Sequence, residues 1–180
     1  RELKEGKERT KEIKVEEIKK ALDNGLTLTA FCQDIADANI YIVTVPTPVN
    51  HKKEPDFSCL FDASKLIAQF LKQGDIVIYE STVYPGVTEE FCVPILEKNS
   101  KLTYNKDFNC GYSPERINPG DRSKSLENIV KITSGSNKET SDFVDNLYKK
   151  IITAGTVSVS SIKIAEASKI VENIQRDVNI

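Results

Sequence analysis

The sequence predicts an α/β fold on a mostly parallel β-sheet, and three observations carry that expectation. Short runs rich in β-branched and aromatic residues, IYIVTV at 40–45 and IVIYE at 76–80 above all, are near-continuous in the way of strands buried on both faces of a parallel sheet. Segments with apolar residues at helical spacing stand between such runs, the alternation expected of βαβ units. Finally, 39% hydrophobic and 29% charged residues in a chain of 180 suit one core beneath a well-charged surface.

The elements follow in order. Within the Lys- and Glu-rich first 24 residues, Val15, Ile18 and Leu22 recur at helical spacing, Glu16 and Lys20 form an i, i+4 pair, and Gly25 supplies a stop. LTLTAF (26–31) reads as a short strand, and Pro46 ends the strand at 40–45 because proline cannot donate to a central ladder. A helix fits 58–72, with Leu60, Ala63, Leu66, Ile67, Phe70 and Leu71 on one side. After the strand at 76–80 comes a helix at 87–98, with Glu89 and Glu90 near its positive end and Pro94 expected to kink or divide it. DFNCGY (107–112), NIVKIT (128–133) and TVSVS (156–160) are further strands, with a helix at 138–151 before the last of them. In the final segment, 161–180, Ile164, Ala167, Val171, Ile174 and Val178 mark one apolar stripe of a long helix.

Composition excludes several classes of function. The net charge of −2, with no long run of one sign, argues against a nucleic-acid arm or a membrane-surface patch. No stretch approaches the roughly 18 apolar residues of a membrane span, and RELKEGKERT has no signal-peptide core, so the expected location is the cytoplasm. Cys32, Cys59, Cys92 and Cys110 are far apart with no CxxC pair, so buried free thiols are expected rather than disulfides or a zinc site, and no metal is expected. His51, the only histidine, lies in the polar stretch NHKKEPD and reads as a solvated loop residue, which argues against Ser-His or Cys-His chemistry. The chain starts at Arg1 and contains no Met, so it is expected to be a segment of a longer protein.

In an open parallel sheet a ligand binds outside the carboxyl ends of the strands. Three such ends carry unusual sequence: Pro46-Thr47-Pro48, then Ser81-Thr82-Val83-Tyr84-Pro85-Gly86, then Ser113-Pro114-Glu115-Arg116-Ile117-Asn118-Pro119-Gly120. Each alone is an ordinary turn composition; three at one edge favour a site. On the last helix Lys169, Asn173 and Arg176 share a face, with Glu166 one turn earlier, offset from the apolar stripe. That face suits either solvent or an anionic, oxyanion-bearing ligand, and spacing alone leaves both open. The eight glycines are too widely spaced for GxGxxG, and no P-loop pattern occurs.

VPTP (45–48), YESTVYPG (79–86), GYSPERINPGD (111–121), DNLYKKIITAG (145–155) and AEASKIVENIQRDVNI (165–180) together closely resemble the nucleotide-sugar 6-dehydrogenases, the UDP-glucose/GDP-mannose family. Within it the chain is most similar to the UDP-N-acetylhexosamine branch of capsule and Vi-antigen type. The resemblance implies NAD-dependent oxidation of the C6 hydroxyl of a UDP-sugar to a carboxylate in two hydride transfers, through a cysteine-bound thiohemiacetal and thioester. It implies a Rossmann-like NAD-binding domain, a long central helix at a homodimer interface and a sugar-nucleotide domain. On this reading residues 1–160 are a partial NAD-binding domain that lacks the first βαβ unit and its glycine turn. Residues 161–180 start the central dimerisation helix, and the catalytic cysteine and sugar domain lie beyond, so the segment alone is expected to be inactive.

Residue by residue, Pro46, Thr47 and Thr82 resemble positions that contact NAD, with Thr82 also near the reacting centre. Glu115 resembles the carboxylate that activates the hydrolytic water, and Arg116 and Ile117 match substrate-contacting positions. Lys169 is similar to the lysine that stabilises the oxyanion at C6, Asn173 to its partner, and Arg176 to a further substrate contact. None of the four cysteines falls in the family's nucleophile motif. The UDP-glucose branch carries a second glutamate four positions after Glu115, where this chain has Pro119, and this favours the N-acetylhexosamine branch. The alternatives are a UDP-glucose or GDP-mannose 6-dehydrogenase, or a non-catalytic excised or remnant α/β domain.

Overall fold

The computed structural model describes residue 3 and residues 13–115 and 126–179. The chain divides into two units, residues 1–36 and 37–180. In the first, helix α1 spans Val15–Asp23 and buries Ile18, as its spacing predicts. It ends in a Schellman turn: Gly25, at φ 101°, donates to the Leu22 carbonyl, and Leu26 donates to that of Ala21. The strand expected over 26–31 does not form, and a short 3₁₀ helix follows at Cys32–Ile35. The reason is local. The Thr29 hydroxyl bonds Asp34 Oδ2 at 2.5 Å and receives the Phe31 N–H at 3.0 Å, a turn that competes with a β ladder.

The second unit is a five-stranded sheet in the order β1 (Ile40–Val43), β2 (Ile76–Tyr79), β3 (Asn109–Tyr112), β4 (Lys131–Gly135), β5 (Thr156–Ser158). β1, β2 and β3 are parallel, β4 is antiparallel to β3, and β5 is parallel to β4. The expected α/β class therefore holds, with one reversal at β4. Between β3 and β4 no crossover α-helix stands among the described residues, and adjacent strands without a crossover pair antiparallel. β1 also departs from expectation: Tyr41 and Val43 are buried, whereas Ile40 and Ile42 are exposed. Among the described strands it is an edge with one packed face.

Helix α2 (Ser58–Ala68) is shorter than the pattern suggests, because residues 69 and 70 close with i→i+3 bonds to Leu66 and Ile67. The helix after β2 opens with a π turn, Thr88–Cys92, which passes directly into α3 (Val93–Ser100). Pro94 sits in the first turn of α3, where its missing N–H costs least, so the proline divides the helix as expected. Residues 126–128 form a 3₁₀ turn, so the strand predicted from 128 begins at Lys131. Helix α4 (Lys138–Lys149) is capped by the Asn137 side chain accepting from the Thr140 N–H. It packs Val144 and Tyr148 against Ile78 and Ile152. Gly135 allows that approach, since a Cβ there would lie 2.3 Å from the Ser141 nitrogen.

Helix α5 (Ile162–Val178) starts on an N-cap from Ser161, whose hydroxyl accepts from the Ile164 N–H. It packs on β3 and β4 through Ile162, Ala165, Glu166 and Lys169. Of the apolar stripe, Ile164, Val171, Ile174 and Val178 are exposed, so this helix turns its polar face inward. Cys92 and Cys110 are buried as expected; Cys32 and Cys59 are exposed, contrary to expectation, and all four are free thiols. His51 is exposed in a turn. No helix among the described residues is long and apolar enough to cross a membrane.

Candidate active site

The three polar turns meet at the carboxyl edge of β1, β2 and β3. Just past β1, the Val45 carbonyl accepts from the Ser81 hydroxyl at 2.7 Å. Two residues on, the Thr47 hydroxyl donates to the Thr82 carbonyl at 2.8 Å. The Tyr112 hydroxyl, at the end of β3, donates to the Ser81 carbonyl at 3.1 Å. Thr47, from the turn after β1, and Tyr112, at the end of β3, thus hold the carbonyls of Thr82 and Ser81 from two sides. Pro46 and Thr82 are exposed, and Thr47 is half-buried.

Helix α5 supplies the fourth element, with both charged residues of its inward face buried. Glu166 has no exposed surface, and its two carboxylate oxygens accept from the Gly86 N–H at 2.6 Å and the Thr88 N–H at 2.9 Å. It fills the start of the helix after β2, where N–H groups have no intrahelical partner. Burial pushes its carboxyl above the ordinary carboxylate value, against these bonds, which favour the ion. One turn on, Lys169 donates to the backbone carbonyl of Glu115. Asn173 and Arg176 continue that face half-buried, and Arg176 lies 3.7 Å from Glu172. Of the alternatives left open by spacing, the solvated face is excluded for Glu166 and Lys169.

The turn after β3 is held from a second direction. Lys131, the first residue of β4, reaches this edge because the strand runs antiparallel. Its ammonium stands 3.0 Å from Glu80 Oε2 and 3.5 Å from the carbonyls of Ser113 and Pro114. The Tyr148 hydroxyl donates to the other Glu80 oxygen, and the Lys131 ammonium lies 4.9 Å from the Tyr148 ring centre. Burial, together with the Glu80 charge, pushes the Tyr148 hydroxyl well up from its ordinary value. The Ser113 hydroxyl donates to the Ile132 carbonyl at 2.7 Å.

The structure therefore brings Thr47, Thr82, Glu115 and Lys169 to one edge, with Pro46 beside Thr47 and with Asn173 and Arg176 farther along α5. Arg116 and Ile117, expected to touch substrate, lie outside the described residues. Sequence reasoning missed Lys131, Glu80 and Tyr148, and it noted Glu166 without a role. A signal existed in two cases: Lys131 within the run at 128–133 and Glu80 at the end of that at 76–80 are lone charges in apolar strand runs, where a charge is kept only if paired.

An open, mostly parallel sheet with polar turns at its carboxyl edge is the arrangement in which α/β domains of the doubly-wound class take their ligands. Residues 1–152 match the model of the UDP-glucose/GDP-mannose dehydrogenase family, NAD binding domain, and the chain belongs to that family. It is 55% identical over 179 residues to UDP-N-acetyl-D-glucosamine 6-dehydrogenase of Pseudomonas aeruginosa, covering 99% of this chain and 42% of that protein. It is 46% identical over 180 residues to Protein CapL of Staphylococcus aureus, covering 100% of this chain and 42% of that one. Among solved structures it superposes on NDP-N-acetyl-D-galactosaminuronic acid dehydrogenase of Methanosarcina mazei with a TM-score of 0.89 at 30% identity, over 99% of this chain and 39% of that one. The chain thus spans about two fifths of the length of the relatives it matches.

Proposed function

We propose that this chain is part of an NAD-dependent UDP-N-acetylhexosamine 6-dehydrogenase that makes a uronic acid for surface polysaccharide. The observation that carries the reading is the convergence of Lys169 on Glu115 at the same edge as Thr47 and Thr82. The 55% identity to a UDP-N-acetyl-D-glucosamine 6-dehydrogenase supports the substrate class.

The residues at this edge fit part of the cofactor. The turns at 46–48 and 81–86 offer hydroxyls and prolines without charge, which suits the neutral hydroxyls and amide of a nicotinamide nucleoside. The helix start at 86–88 is already filled by Glu166, so it is no seat for the pyrophosphate. Pro46, Thr47 and Thr82 are the residues that would hold the cofactor here, and NAD when bound accepts the hydride.

Lys169 donates to oxygen as negative charge develops at C6, and Asn173, one turn on, is its partner. Glu115 takes the proton of the water that releases the acid, and Arg116, Ile117 and Arg176 contact the sugar nucleotide. Over both steps the alcohol, two NAD+ and one water give the carboxylic acid, two NADH and two protons. Such an enzyme works in the cytoplasm, where UDP-sugars and NAD are available. The exposed Ile164, Val171, Ile174 and Val178 support α5 as a homodimer interface.

The test is NADH formation by the complete protein, with UDP-N-acetylglucosamine, its galacto and manno epimers and UDP-glucose offered separately. Two NADH per sugar with one N-acetylated substrate is the expected result. Turnover with UDP-glucose alone points to the other branch, and no turnover with any of the four makes an excised or remnant domain the better account.

A further inference from the structure

We propose that Lys131, on the antiparallel strand, is a positioning residue for Glu115. The inference rests on the reading of Glu115 as the carboxylate that activates water, and it names what holds that carboxylate in place.

Three successive carbonyls precede or belong to Glu115, and each faces an ammonium. Those of Ser113 and Pro114 lie 3.5 Å from Lys131, and that of Glu115 accepts from Lys169. The two lysines come from different elements, β4 and α5, so the segment is gripped from two sides through its main chain. An ammonium has three protons to direct, and Lys131 has an acceptor for each in Glu80, Ser113 and Pro114. Lys131 is itself fixed. Its side chain is 3% exposed and that of Glu80 14%, and Tyr148 occupies the second Glu80 oxygen. A buried pair of this kind is a poor source of net stability, since each ion has lost its water. Its value lies in where the ammonium is put. The reversal of β4 is what brings it there: on a parallel strand the first residue would stand at the opposite edge of the sheet. Proline at 114 restricts the segment further by fixing its own φ. A carboxylate acting as base must be placed to within a fraction of an ångström, and its placement here depends on a residue that need not touch substrate.

The test is a double-mutant cycle in the complete dehydrogenase. Lys131→Met is expected to lower kcat roughly 10- to 100-fold while KM for NAD and for the nucleotide sugar moves less than about threefold. Placed on Glu115→Gln, the same substitution is expected to add less than about threefold, because the carboxylate it positions is already gone. Lys131→Met strands the Glu80 carboxylate, so Lys131→Met/Glu80→Gln is measured beside it as a folded control with the same expected outcome. A full Lys131 effect persisting on Glu115→Gln overturns the proposal, as does wild-type kcat in either folded Lys131 variant. If Glu115→Gln itself leaves kcat unchanged, the role of Glu115 fails and this proposal with it. Loss with Glu115→Gln alone overturns only the positioning role.

Discussion

The Thr47 hydroxyl donates to the Thr82 carbonyl at 2.8 Å, joining two turns 35 residues apart in the chain. Each threonine belongs to a different βα connection, so this bond sets the spacing of the two turns proposed to hold the cofactor. Thr47→Val keeps the shape and removes the donor. In the complete enzyme it is expected to raise KM for NAD about 2- to 10-fold, the effect of one lost hydrogen bond at a partly exposed site, with a smaller change for the sugar nucleotide. Steady-state kinetics with each substrate varied in turn checks this, and an unchanged KM for NAD would remove Thr47 from the cofactor site.

Glu166 serves two backbone donors at once. Glu166→Gln has one carbonyl oxygen for two N–H groups and turns its own N–H₂ toward the other. The expected cost is about 1–3 kcal/mol, read from urea unfolding at neutral pH. The raised carboxyl of Glu166 adds a pH effect of known sign. A group whose folded value lies above its unfolded one contributes stability below the unfolded value, about 4.3, and that contribution is lost as pH rises through the folded value. The difference between wild type and Glu166→Gln is therefore expected to shrink as pH rises from about 4.

Asp145 behaves in the opposite sense. Burial alone would raise its carboxyl, but the bonds from Lys149 at 2.6 Å and from Thr133 at 2.8 Å outweigh it and hold the group below the usual range. Its contribution is present above the unfolded value of about 3.9 and is lost as pH falls through the lower folded value. Asp145→Asn is expected to lower the melting temperature at neutral pH and to flatten its acid decline. Melting curves taken from neutral pH down to about 2.5 decide it, and parallel declines in the two proteins would rule it out.

Thiol accessibility gives a direct check of the packing. Cys32 and Cys59 are exposed, whereas Cys92 and Cys110 are buried, and burial pushes the Cys92 thiol up to about 12. A disulfide reagent at neutral pH is expected to label two thiols quickly and the other two only on unfolding. Four fast thiols in the native protein would contradict a core that encloses Cys92 and Cys110.

Much of the fold was legible in the sequence, and the exceptions have physical causes. The strand at 76–79 was readable because its unbroken β-branched and aromatic run suits a strand buried on both faces, and the helix at 138–149 formed within the segment read as helical. LTLTAF misled because its alternation is that of a strand, while the Thr29 hydroxyl bonds nearby groups that a period does not register. The reversal at β4 was not legible, since the residues of NIVKIT suit either direction and only the neighbouring strand decides. For the site, Thr47 bonds Thr82 and Lys169 bonds Glu115 across segments that the sequence leaves far apart. Lys131, Glu80 and Tyr148 did not emerge because their partnership spans 51 and 68 residues of chain.

The π turn at Thr88–Cys92 accommodates one residue more than an α-helical path would need. Its consequence is an uneven tolerance of insertions and deletions along one helix. Removing a residue within 88–92 lets the segment relax to regular α geometry without changing the phase of the turns of α3. Removing one of residues 93–95 rotates the remainder by about 100° and carries the buried Leu96 toward water. The stretch that looks most irregular is thus the one able to absorb the loss of a residue, and the regular turn after it is the one that cannot.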